Sequence, residues 1–217
     1  MQLLKHTMNQ KITSILFQPS QKSTNNSILR FLSIKELTYC LGLSKIESQV
    51  ALQSLLEKQE IQKFIFRNKV LYGINLDILF TNNPQIKKRW EKLKQQKGDS
   101  YLCKARHCYS HLAGNLGVAV YSFFCRQEYF NINKNLNTTL SKKGKIFLNK
   151  LGINCKESQP IINCLDWTER RFHIGGNLGK ELYALCHKHK LIEALHNSRA
   201  LLLTQKGQKL WHHLQES

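Results

Sequence analysis

Cysteine, histidine and aspartate crowd two stretches of this chain. Cys103, His107, Cys108 and His111 lie close together in one; in the other, Cys164, Asp166 and His173 surround Trp167 and the Glu169-Arg170-Arg171 run. On a helix, Cys108 and His111 would share one face, Cys103 and His107 a neighbouring one. Thiolate, imidazole and carboxylate are ligands that a borderline cation such as zinc accepts, so Cys108, His111, Cys164, Asp166 and His173 form a candidate metal or effector set. A competing reading makes the cysteines small core residues and pairs the histidines locally, His173 with Glu169. That reading is favoured, because no pair has the paired-ligand spacing of a structural zinc site, and no cofactor is established. A third reading, a redox-sensing thiol, rests on Cys108 standing beside Arg106 and His107. Catalysis has no positive support, since the chain carries no glycine-rich phosphate loop, no paired acids in a plausible cleft and no nucleophile elbow.

These residues sit in a duplication. His111-Leu-Ala-Gly-Asn-Leu-Gly117 returns as His173-Ile-Gly-Gly-Asn-Leu-Gly179, and Leu140-Ser141-Lys-Lys-Gly144 returns as Leu203-Thr204-Gln-Lys-Gly207. Each copy predicts a long helix, a short hairpin and a final helix capped by Ser141 or Thr204. The first helix carries Leu112, Leu116, Val120 and Phe123 in one copy and Ile174, Leu178, Leu182 and Leu185 in the other. Gly114 and Gly117, or Gly176 and Gly179, would lie within that helix at about 1 kcal/mol each relative to alanine. Close packing of the two glycine faces about a pseudo-twofold axis would offset that cost and could bring Cys108, His111 and His173 together.

Upstream, Leu32-Ser-Ile-Lys-Glu-Leu-Thr-Tyr-Cys-Leu-Gly-Leu-Ser44 predicts a short helix capped by Ser33 and stopped at Gly42, then a second helix from a Ser44 cap to about residue 59. Ile46, Val50, Leu52, Leu55 and Leu56 would form its buried stripe, leaving Lys45, Glu47, Ser48, Gln49 and Gln53 outward. Residues 61–66 and 70–74 read as two strands joined by the basic tip Arg67-Asn68-Lys69. One or two short helices are expected in residues 1–31. After the hairpin, Pro84 opens a helix with Ile86, Trp90 and Leu93 on one face and lysines on the other.

The stretch from Ser33 to Asn75 resembles the winged helix-turn-helix of bacterial repressors of the arsenic-repressor (ArsR) type. CYSHLAGNLGVAV (Cys108 to Val120) and CLDWTERRFHIGGNLG (Cys164 to Gly179) resemble the C-terminal region of a group of ArsR-like regulators, which extends the likeness over most of the chain. The resemblance implies a mainly α fold with small β-hairpin wings, an α+β architecture. A DNA-binding domain would span 1–98, and a dimerisation or sensing region 99–217, with two degenerate winged-helix-like repeats at about 101–154 and 161–217. It implies a homodimeric regulator of transcription, a repressor, reading a palindromic operator in double-stranded DNA and responding to a small effector or a metal. Ser44, Lys45, Ser48, Gln49 and Gln53 would enter the major groove, while Arg67, Asn68 and Lys69 lie along the backbone or minor groove. One departure is that the reading helix balances Lys45 and Lys58 against Glu47 and Glu57.

The formal net charge of +19 favours a polyanionic partner, though abundant lysine and asparagine also fit an AT-rich coding bias. Seven cysteines without a CxxC pair predict a reducing compartment. With no apolar leader or membrane-length run, the expectation is a cytoplasmic protein that is not an enzyme. Two rivals remain: a winged-helix module for RNA or protein without operator specificity, and a Cys/His thiol enzyme.

Overall fold

The computed structural model describes residues 29–57, 61–66, 68–74, 76, 80, 83–133 and 135–216. The chain divides into two compact units, Met1–Lys94 and Gln95–Ser217. The helices expected before residue 29, together with Lys58 and Arg67, lie outside the described residues.

In the first unit, Ser33 ends strand β1 (Arg30–Leu32) and caps helix α1 (Ile34–Leu41). Its hydroxyl accepts from the Glu36 amide while the Glu36 carboxylate accepts from the Ser33 amide, a reciprocal cap that satisfies two otherwise orphaned groups. Gly42 closes α1 at φ 68°, a left-handed conformation that glycine adopts without penalty. Ser44 and Glu47 repeat the same reciprocal cap at the start of α2 (Lys45–Glu57). Strands β2 (Gln62–Phe66) and β3 (Lys69–Ile74) pair antiparallel, with Phe66 opposite Lys69 at the tip. Residues 30–32, expected as a lead-in to the helices, are instead a third strand on the far side of β3. Helix α3 (Pro84–Gln95) sets Ile86 and Trp90 into a core with Leu32, Leu37, Cys40, Leu52, Leu55 and Leu76.

The second unit opens with α4 (Ser100–Lys104), capped by Asp99. Strands β4 (Arg106–Cys108) and β5 (His111–Ala113) form a hairpin that precedes α5 (Gly114–Arg126). A second hairpin of β6 (Phe130–Ile132) and β7 (Thr138–Leu140) leads to α6 (Lys142–Lys150). The same order then recurs after β8 (Pro160–Ile161): β9 (Asn163–Leu165), β10 (Phe172–Ile174), α7 (Gly176–Lys188), β11 (Ile192–Ala194), β12 (Leu201–Leu203) and α8 (Gln205–Glu216). The long helices start later than the sequence pattern suggests, at Gly114 and Gly176. Leu112 and Ile174 belong to strands, because Gly114 and Gly176 adopt left-handed φ angles (71° and 61°) and turn each chain from strand into helix.

The two copies exchange partners. Helix α5 packs on β10 of the other copy and α7 packs on β5. β8, the lead-in to the second copy, pairs with β7 of the first. At the other end, the His107 amide donates to the Arg199 carbonyl and the Leu201 amide to the Ala105 carbonyl. Ala105, Leu112 and Leu116 accordingly share a core with Ile192, Leu201 and Trp211.

Candidate functional site

Hairpin geometry, rather than a helical face, brings Cys108 and His111 together. They are directly opposed across β4 and β5, joined by a tight turn in which Tyr109 is left-handed (φ 56°). Cys164 and His173 are opposed in the same manner across β9 and β10, although more residues separate them in sequence. Cross-strand pairing therefore replaces the expected helical spacing, and Cys103, in α4, does not share a face with His107.

The exchanged packing lays one Cys–His pair against the other. The ligand atoms of Cys108, His111, Cys164 and His173 all lie within 4.8 Å of one another. The two imidazole rings are 5.1 Å apart between centroids. Glycine permits this approach. A Cβ on Gly117 would meet the Leu112 carbonyl and stand 3.3 Å from His173 Cβ; a Cβ on Gly179 would meet the Ile174 carbonyl and stand 2.8 Å from His111 Cβ. Gly117 and Gly179 thus pack against the histidine of the opposite copy, whereas Gly114 and Gly176 face Cys103 and Ile162 of their own. Both histidines are buried and both cysteines half-buried, so the thiols form the accessible side of the cluster.

Asp166 is a corrected assignment. It belongs to the set in sequence, yet it lies behind the cluster as the hub of a buried polar network. Its Oδ2 accepts from Arg106 Nη2 at 2.7 Å and from the Gly114 amide at 2.8 Å, while Oδ1 accepts from the Thr168 amide and hydroxyl and the Glu169 amide. Arg106 and Asp166 are both fully buried, and the guanidinium also stacks over the Trp167 ring at 4.4 Å. Sequence alone names Arg106 only as a charge near Cys108; its burial and its pairing with Asp166, 60 residues away, come from the fold. The hub stands 3.5 Å from His173 Nδ1, so His173 leans on Asp166 rather than on Glu169.

Charge follows this geometry. Burial works against ionisation of Asp166, but His173, Arg106 and the Glu169 amide together hold its carboxyl well below the usual carboxylate range. Burial also disfavours a charged His173, yet Asp166 and Cys108 outweigh it and raise the imidazole's pKa. Burial and the neighbouring His173 charge push His111 down. The neighbouring Cys164 thiol, then the His173 imidazole, lower the Cys108 thiol to about 4 against its own desolvation. A thiolate beside an imidazole nitrogen is the form that metals and electrophiles meet.

The nucleic-acid candidates occupy the first unit. Along α2, Lys45, Gln49 and Gln53 are exposed on one side, with Ser44 exposed at the cap; the Gln53 amide reaches back to Glu57. Two assignments reverse. Ser48 is 1% exposed, its hydroxyl 3.0 Å from that of Thr38, whereas Ile46 is 73% exposed. The helix is phased by Ser48, Ala51, Leu52 and Leu55, and Ile46 lies about 200° around from Ser48 at 100° per residue. Asn68 and Lys69 are exposed at the hairpin tip beside a 77% exposed Ile65. Lys87, Lys88 and Lys92 are exposed on α3.

No protein-family model matches the chain, and no solved structure matches it. Over 211 residues, 91% of this chain and 92% of the relative, it is 29% identical to a Bacillus subtilis (strain 168) protein named Uncharacterized HTH-type transcriptional regulator YdfF. Neither compact unit alone is long enough to account for that span. The chain is therefore similar, across both units, to a protein named as a helix-turn-helix regulator of transcription.

Proposed function

We propose that this chain is a sequence-specific, DNA-binding regulator of transcription whose first unit works as a winged helix-turn-helix. The carrying observation is the exposed side of α2, where Lys45, Ile46, Gln49 and Gln53 stand together on a helix that opens on the Ser44–Glu47 cap. Glutamines offer paired donors and acceptors to adenine, and an exposed isoleucine suits a thymine methyl in the major groove. Asn68 and Lys69 supply phosphate contacts beside it, and the net charge of +19 supplies the sequence-independent attraction. The name of the relative supports the same reading.

The finer reading is a cytoplasmic homodimeric repressor without enzymatic activity. Its second unit dimerises or senses an effector, and its palindromic operator carries half-sites about 34–36 Å apart or a multiple of that. Among the described residues no helix is long and apolar enough to cross a membrane.

Selection from random duplex DNA tests the reading. A short palindrome should emerge, and single-stranded DNA or RNA should fail to compete for it. Gln49→Ala should cost the selected site about 1–3 kcal/mol while leaving scrambled duplex nearly unchanged. Equal loss on both duplexes would remove α2 as the reader, and preference for single strands would favour an RNA-binding module.

A further inference from the structure

We propose that Cys108, His111, Cys164 and His173 form a tetrahedral site in the second unit for one thiophilic divalent cation of the zinc class. Two thiols and two imidazoles are a complete ligand set for that ion, and each hairpin contributes one of each. With metal–sulfur distances near 2.3 Å and metal–nitrogen distances near 2.0–2.1 Å, tetrahedral ligands stand roughly 3.3–3.8 Å apart. The four ligand atoms already fall within 4.8 Å, so side-chain movements of about 1 Å complete the sphere.

A second observation points to a ligand independently. His173 is 1% exposed; its Nδ1 faces Asp166 at 3.5 Å, while its Nε2 has no hydrogen-bond partner in the protein, and the buried His111 Nδ1 has none either. Buried imidazole nitrogens left without partners are costly, and an ion between them removes the cost. Asp166 stands 3.5 Å from Nδ1 of His173, which leaves Nε2 to coordinate and reproduces the carboxylate–histidine–metal arrangement that orients such ligands. Arg106, paired to the same carboxylate, keeps Asp166 in place. Three protein ligands and an open position would suit catalysis, whereas four protein ligands close the sphere, so the site is structural or sensory. It joins strands from opposite copies, and occupancy therefore clamps the exchanged packing of the second unit.

The test uses the full chain, reduced and stripped of metal, with cobalt(II) as a spectroscopic probe. Cobalt should saturate at one ion per chain with the intense absorption of tetrahedral, thiolate-bound cobalt, and zinc should displace it. Cys108→Ser and Cys164→Ser should each weaken binding by roughly tenfold or more and reduce the thiolate-to-cobalt band, while Cys103→Ser and Cys186→Ser leave both unchanged. For a measurement free of variants, zinc should slow alkylation of Cys108 and Cys164 together in the unaltered chain, read by mass spectrometry. Failure to saturate, a weak octahedral spectrum, an unchanged band in Cys108→Ser, or a Cys108–Cys164 disulfide forming in preference to metal binding would each overturn the site. None of these readouts involves DNA, so the site and the DNA-binding reading fail separately.

Discussion

Asp166 shows how one buried residue can matter more than its neighbours. Its carboxylate faces a fully buried guanidinium, and removing the charge strands Arg106 in the interior. Breaking a buried pair by deleting one member typically costs about 3–5 kcal/mol. Asp166→Asn should lower the unfolding free energy of the metal-free chain by that order in urea, and adding Arg106→Met should recover a substantial part of it. Ser48 tests the phase of α2 in a different way. Because its hydroxyl is buried against Thr38, Ser48→Ala should cost about 1 kcal/mol of stability with no change in base preference, measured by denaturation and by binding to cognate and scrambled duplexes. A change in base preference would return Ser48 to the exposed face. The sequence alone misplaced Ser48 because α2 has little contrast between its faces: a polar hydroxyl lies inside it and an isoleucine outside.

At the level of elements, the Leu-(Ser/Thr)-x-Lys-Gly motif now has a physical account. Ser141 caps α6 through the Gly144 amide, and Thr204 caps α8 through the Gly207 amide. Each hydroxyl also donates backward, Ser141 to the Glu128 carbonyl and Thr204 to the Lys190 carbonyl, tying the helix to the start of its own hairpin. The glycine is required because a Cβ would strike a backbone carbonyl, that of Tyr129 at Gly144 and that of Leu191 at Gly207. On an open helix, glycine to alanine gains about 1 kcal/mol; here the overlap reverses the sign, and about 1–3 kcal/mol should be lost. Thermal melts of Gly144→Ala and Gly207→Ala should both shift downward, and an upward shift in either would show that the hairpin yields. Caps, turns and apolar runs were legible in the sequence because they act over a few residues. The β4–β5 and β9–β10 hairpins were not, since three-residue strands adjoining a glycine-containing helix read as an extension of that helix.

For the whole molecule, the positive charge and the exposed groups of the first unit lead to a measurable expectation. Binding to duplex DNA should weaken steeply with salt, and Lys69→Ala should lower the slope of log K against log [salt] by about one while leaving sequence preference intact. An unchanged slope would place Lys69 away from phosphate. Residue order alone carries the local grammar: the Ser33 and Ser44 caps, the Gly42 turn, the paired strands after α2, the doubled motif and the cationic balance. Each depends on residue type over short separations. It also brought Cys108, His111, Cys164 and His173 under suspicion by their chemistry, and the duplication offered a way for Cys108, His111 and His173 to converge, but nothing in it fixed the contact that joins all four. That contact is a matter of packing. Exchange of partners between the copies sets one hairpin's cysteine and histidine against the other's, and the cross-strand pairing that aims them depends on strand register, which no ligand spacing along the chain encodes.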